Sequence, residues 1–261
     1  MFGRVAAYGV TILFVLLAPV CGGTVAAFAQ YQINVGAADP AAPPGQAPAL
    51  AEPFGIGATP VTSGGILTKW SGVVADISAE SEVLARCRDD AELCPPAAQK
   101  FLAVIADGRA HEGRARIGVI NRGINLAIRP TSDLAQWGVP DRWSAPLVTL
   151  TSGRGDCEDY AIAKYVALKE AGIAADDVRL VIVRDLAVAE DHAVVVARLE
   201  QKWIVLDNRR LTLIEDMQMQ RVIPLFMLDH AGVKQFAPTI VAEAHDAAAP
   251  GVAATPSSLG F

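Results

Sequence analysis

Between residues 97 and 128 apolar side chains recur at helical spacing. Phe101, Leu102, Val104 and Ile105 form one stripe that stops at Gly108, which predicts a helix over 97–107. Ile117, Ile120, Ile124 and Ile128 form the stripe of a longer helix, ended by Pro130. A third helix is predicted from a cap at Asp156 to Ala171, closed by Gly172. The period then changes. Three β-rich runs follow, at 178–184, 192–199 and 203–206. The last two are separated by Glu200-Gln201-Lys202, short enough for an antiparallel hairpin. Helices first and strands later predict an α+β domain, with the helices packed on an antiparallel sheet.

The flanks read differently. Residues 30–65 carry Pro40, Pro43, Pro44, Pro48, Pro53 and Pro60 among Ala and Gly, as expected of a flexible linker or an ordered strap. Residues 237–261 are similar and are expected to be a flexible tail, which leaves 66–236 as the folded part. Arg4 is the only charge before Gln30, an apolar run follows it, and Ala27-Phe28-Ala29 supplies a small-x-small site. This predicts a cleavable secretory signal over 1–29. The other reading is an uncleaved anchor, although the run is shorter than the about 20 residues that span a bilayer. Cleavage removes Arg4 and no acid, so the formal charge moves from −6 to −7. An acidic chain argues against nucleic acid and anionic membrane surfaces as partners.

Export changes how the cysteines are read. Cleavage removes Cys21 and leaves Cys87, Cys94 and Cys157. Cys87 and Cys94 are close enough for a local disulfide. Cys157 is then an unpaired thiol, either cross-linking or reactive, unless it pairs with one of the other two.

Cys157 falls in the first turn of the third helix, within Gly155-Asp156-Cys157-Glu158-Asp159-Tyr160. Free backbone N–H groups and the positive end of the helix dipole favour a thiolate there. A buried small hydrophobe would sit equally well at that point. The downstream residues favour chemistry. A cysteine nucleophile needs a base, and the base needs an orienting acceptor. His192 opens one run and Asp207 follows the next, so a plain hairpin makes them neighbours across the ladder. His111, His230 and His245 have no such pairing. Asp156, Glu158 and Asp159 crowd the thiol and oppose its ionisation. Either they turn away, capping the helix and pairing with arginines such as Arg154, or a cation sits among them, for which Ca²⁺ suits oxygen ligands at this density.

The stretch Gly155 to Tyr165, then His192-Ala193-Val194, then Val205-Leu206-Asp207-Asn208, resembles the bacterial transglutaminase-like cysteine proteinases. Trp137-Gly138-Val139-Pro140-Asp141-Arg142-Trp143 and Pro146 match the lead-in to that family's cysteine. The resemblance covers roughly residues 70–236. It implies a papain-like, transglutaminase-type α+β fold, a Cys157-His192-Asp207 triad and a periplasmic location. It also implies a calcium-dependent protease, with Asp156 and Glu158 among the Ca²⁺ ligands. The best understood members clip large surface adhesins and release biofilm, and an inner-membrane receptor that senses cyclic-di-GMP can hold them inactive. Three rivals remain: acyl transfer to an amine by the same triad, an inactive calcium-dependent binding module of the same fold, and a secreted redox protein, which the absence of Cys-x-x-Cys disfavours.

Overall fold

The computed structural model describes residues 51–238. The predicted signal over 1–29, Cys21, the first part of the linker, His245 and most of the tail lie outside the described residues. No helix among the described residues is long and apolar enough to cross a membrane.

Among the described residues six α-helices precede or interrupt the strands: α1 (Gly65–Asp89), α2 (Pro96–Arg109), α3 (Gly113–Ala127), α4 (Asp133–Trp137), α5 (Pro146–Ser152) and α6 (Cys157–Glu170). The strands are β1 (Ala58–Pro60), β2 (Arg129–Pro130), β3 (Arg154–Gly155), β4 (Val178–Asp185), β5 (Glu190–Leu199), β6 (Lys202–Leu206), β7 (Ile214–Glu215), β8 (Val222–Asp229) and β9 (Gly232–Phe236). Seven of them form one antiparallel sheet in the order β1-β9-β8-β4-β5-β6-β7. Helices on an antiparallel sheet are the expected α+β architecture.

Strand alternation gives the sheet two apolar faces. Leu180, Ile182, Ala193, Val195 and Leu206 pack in one core with residues of α1, α2, α3 and α6. Val181, Val183, Val194, Val196 and Val205 share a second core with Phe54, Trp203 and Phe236. Every residue of α6 from Asp159 to Leu168 is buried, as expected of a helix enclosed on all sides. Residues 51–65, in the segment read as linker or strap, contribute β1 to the sheet edge and Phe54 to the second core.

The structure differs from the sequence reading in the hairpin turn and in the number of elements. The hairpin turn is Glu200-Gln201 alone, because Lys202 already pairs with Leu199. Both turn residues have positive φ, 50° and 67°, the geometry that matches the twist of the flanking strands. Helix α1, β8 and β9 have no counterpart among the predicted elements. Cys87 at the end of α1 and Cys94 before α2 form the expected disulfide, and Cys157 is a free thiol.

Candidate active site

Cys157 is the first residue of α6, half-buried, where the first-turn amides lack intrahelical partners. It rests against β5 at Ala193, whose backbone N–H acts on the sulfur. Ala193 is the residue after His192. The Sγ–H donates to Glu158 Oε2 at 2.9 Å. Burial pushes the thiol well above the ordinary cysteine range, and the charge and hydrogen bond of Glu158 push the same way. Burial first and then the acids therefore outweigh the helix start, and this arrangement favours the thiol.

The imidazole and the carboxylate meet as the hairpin demands. His192 and Asp207 are 3% and 2% exposed, and His192 Nε2 lies 2.9 Å from Asp207 Oδ1. Val195 pairs with Leu206, so Asp207 reaches His192 diagonally, one step past the last paired residue of β6. His192 Nδ1 is buried and has no hydrogen-bond partner. Asp207 is held on several sides: Arg209 N donates to Oδ1 at 2.9 Å, and Arg210 Nε lies 3.2 Å from Oδ2. Burial raises its carboxyl, but the His192 and Arg209 hydrogen bonds and the nearby cations win, leaving it at about 2.

Around the helix start the acids are not settled. Asp156 occupies the N-cap position, yet its side chain makes no capping hydrogen bond, which corrects the capping reading. No ion pair joins these acids to Arg154 among the described residues. One carboxylate oxygen from each of Asp133, Asp156 and Asp159 lies within 4.8 Å of the others. Asp133 Oδ1, Asp156 Oδ1 and Asp159 Oδ2 are buried without partners. Burial, then the charges of Glu158, Asp159 and Asp133, raise Asp156 to about 8. Burial also lifts Asp159 to about 7, although the Ser144 N–H opposes the shift. Three unpartnered hard oxygens under mutual repulsion fit a divalent cation that prefers oxygen. Glu158, paired with Asp156 in the sequence reading, instead lies against the thiol.

Asp133 was missed because it comes from another element. Strand β2 runs straight into α4 and β3 straight into α6. Their parallel pairing, Arg129 with Arg154 and Pro130 with Gly155, delivers Asp133 and Asp156 to the same end. Gly155 permits the packing: a Cβ there would lie 2.7 Å from Asp159 Cβ and Oδ2. Tyr160 ties α6 to the end of α3, donating from its hydroxyl to Ile128 O at 2.5 Å.

A cleft of about 270 Å³ opens beside the site, walled by Ile66, Trp143, Ile182 and Phe226 and flanked by Glu158 and Asp191. These last two are the chain neighbours of Cys157 and His192. Trp143 Nε1 is buried and unpartnered. Trp70 and Trp203 belong to the cores, while His111 and His230 sit at the surface away from the cleft.

Three structures of LapG from Legionella pneumophila share this architecture. The first aligns with a TM-score of 0.50 at 18% identity, covering 59% of this chain and 86% of that one. The calcium-bound form gives 0.51 at 18%, covering 60% and 92%. The EGTA-treated form gives 0.50 at 18%, covering 59% and 84%. No curated protein sequence matches. The family model of the bacterial transglutaminase-like cysteine proteinases matches residues 80–219, a span that includes Cys157, His192, Asp207 and all the acids described above. The chain belongs to that family of cysteine proteinases.

Proposed function

We propose that this chain is a periplasmic, calcium-dependent cysteine endopeptidase, with Cys157 as nucleophile, His192 as base and Asp207 as the group that orients the imidazole. The observation that carries the reading is the buried contact of 2.9 Å between His192 Nε2 and Asp207 Oδ1. It commits Nε2 to the carboxylate and leaves Nδ1 as the free nitrogen of the ring, on the residue next to the one that Cys157 touches. In this reading Nδ1 takes the thiol proton and the sulfur attacks a peptide carbonyl. First-turn amides of α6, including that of Cys157, meet the oxyanion. His192 then returns the proton to the leaving amine, and water attacks the thioester with His192 again as base.

Asp133, Asp156 and Asp159 would hold calcium, and the resemblance adds Glu158 to that set. The calcium-bound and EGTA-treated forms of the Legionella protein support this choice of ion. The ion would supply positive charge beside a thiol that the surrounding carboxylates otherwise hold protonated. The resemblance also supports a large surface adhesin as substrate and an inner-membrane cyclic-di-GMP receptor as inhibitory partner.

The test is incubation of wild type and Cys157→Ala with exported proteins, adhesins included, followed by N-terminal mapping of the fragments. New amino termini that need both Cys157 and calcium are expected. Added amine incorporated in place of water would move the chain to acyl transfer.

A further inference from the structure

Asp207 lies one residue past the last ladder pair of β6, and the next strand begins at Ile214. A carboxylate carried there is not fixed by the sheet. The loop has one weak backbone bond of its own, Arg210 N to Asp207 O at 3.4 Å. Yet Asp207 has to aim at His192, and two of its other contacts, Arg209 N and Arg210 Nε, come from the same loop. A shift of this backbone would move the carboxylate and those contacts together.

Helix α3 holds the loop. Asn125 Nδ2 donates to Asp207 O at 2.9 Å and to Arg210 O at 3.1 Å. Asn121 Nδ2 donates to Arg210 O at 3.2 Å and to Leu211 O at 3.3 Å. The i,i+4 spacing puts both amides on one face of the helix. All four N–H donors are spent on this loop, while both amide oxygens are buried without partners. Asn121 is fully buried beside Ile117, Ile120 and Ile124, where an amide is costly unless bonded. Nothing else about the helix calls for two amides there.

We infer that Asn121 and Asn125 are positioning residues: a clamp from the helical layer that sets the backbone of residues 207–211 and, through it, the aim of the Asp207 carboxylate at His192. The inference rests on the proposal that Asp207 orients His192, and the two can fail separately. The clamp predicts a structural state of the imidazole that can be read without any substrate.

The test uses Asn125→Ala, a half-buried helix position where alanine favours the helix, so the fold should survive. In ¹⁵N-histidine-labelled protein, with His192→Ala to assign the signals, wild type should show a protected His192 Nε2–H. In Asn125→Ala that signal should broaden or vanish while the melting transition stays cooperative. With a cleaved substrate, kcat should fall by roughly ten- to a hundredfold with KM nearly unchanged, as for a misaimed group. Tyr160→Phe, which removes the hydroxyl tie between α6 and the end of α3, serves as a control for general loosening and should leave the His192 signal intact. An unchanged His192 Nε2–H in folded Asn125→Ala overturns the clamp, as does loss of that signal in Tyr160→Phe as well. Should Asn125→Ala not fold, Asn121→Ser against Asn121→Ala applies the same criterion, with the signal expected to survive better in the serine variant. If the signal responds as expected but wild type cleaves nothing, the clamp stands and the protease reading falls.

Discussion

The two halves of the candidate site are in opposite physical states. The His192–Asp207 half is closed: buried, hydrogen-bonded on several sides, with the carboxyl held at about 2. The helix-start half is open: three buried carboxylate oxygens without partners, two carboxyls raised to about 7 and 8, and a thiol whose proton goes to Glu158. In the first half the chain's own groups satisfy the Asp207 carboxylate and leave one ring nitrogen of His192 without a partner. The second half stays uncompensated unless a cation joins it. On the proposed reading, a site built this way keeps its base ready and makes its nucleophile conditional.

The strongest way to break that comparison is to remove one member from each half. Cys157→Ala should abolish proteolysis, by about four orders of magnitude or more, and leave the Tm gained on adding calcium intact. His192→Ala should lose as much activity, since neither residue works alone. If His192→Ala kept substantial activity, measured on the mapped cleavage, the closed half would be structural only.

Next in size are changes to the acids. Chelation with EGTA should suppress cleavage reversibly. Asp133→Asn should raise the calcium needed for half-maximal activity by roughly tenfold, since ligand charge sets affinity. In metal-free protein the same variant should be more stable than wild type, because one of three repelling groups is gone. A gain of about 1 kcal/mol corresponds to about 2–4 °C in Tm. A lower metal-free Tm, measured by thermal melting in EGTA, would show that Asp133 stabilises the fold rather than a cation.

Legibility divides along the same line. The closed half could be read from the sequence because its determinants are local. A two-residue turn joins two alternating runs, and their register brings His192 and Asp207 together. The cysteine was equally plain at a helix start behind Gly155. The open half was legible only as far as the acids adjoining Cys157. Asp133 arrives through β2 and β3, two residues each, too short to carry any period. Helix α1 is mostly solvent-facing and buries only Trp70, Val73, Leu84 and Cys87 over 25 residues, so its stripe is faint. Strand β8 contains Pro224, which argues against a central strand, yet it is tolerated where the β4–β8 register shifts at Val183. The asparagines of α3 were invisible as a pair because their partners lie far along the chain.

A smaller effect tests how completely the closed half is insulated. Lys164 lies on α6 two turns after Cys157, is 1% exposed, and has its ammonium 5.8 Å from the Tyr160 ring centre. Burial lowers it from 10.5 to about 7, and the charge of Asp207 only partly offsets this. The folded value is depressed, so the unfolded chain binds the proton more tightly. The cost to stability is fully present below about pH 7 and fades as the pH rises toward the ordinary lysine range. Lys164→Met should therefore stabilise the protein at pH 6, by about 2 kcal/mol, and by less at pH 9. A gain independent of pH, in melts at both values, would mean that Lys164 keeps its charge in the fold through contact with Asp207.

The smallest effect concerns the turn that builds the closed half. Glu200 and Gln201 both adopt positive φ, where side chains other than glycine and asparagine are strained. Replacing them together, Glu200→Asn with Gln201→Gly, should relieve about 1 kcal/mol and raise Tm by about 2–4 °C. If the ladder at His192 and the Arg209, Arg210 and α3 contacts around Asp207 together already hold the pair, the tighter turn has nothing left to improve in the site. Activity at saturating calcium should then be unchanged. A rise in kcat with the rise in Tm would instead mean that the hairpin breathes in the native protein, and that the imidazole spends part of its time away from the carboxylate.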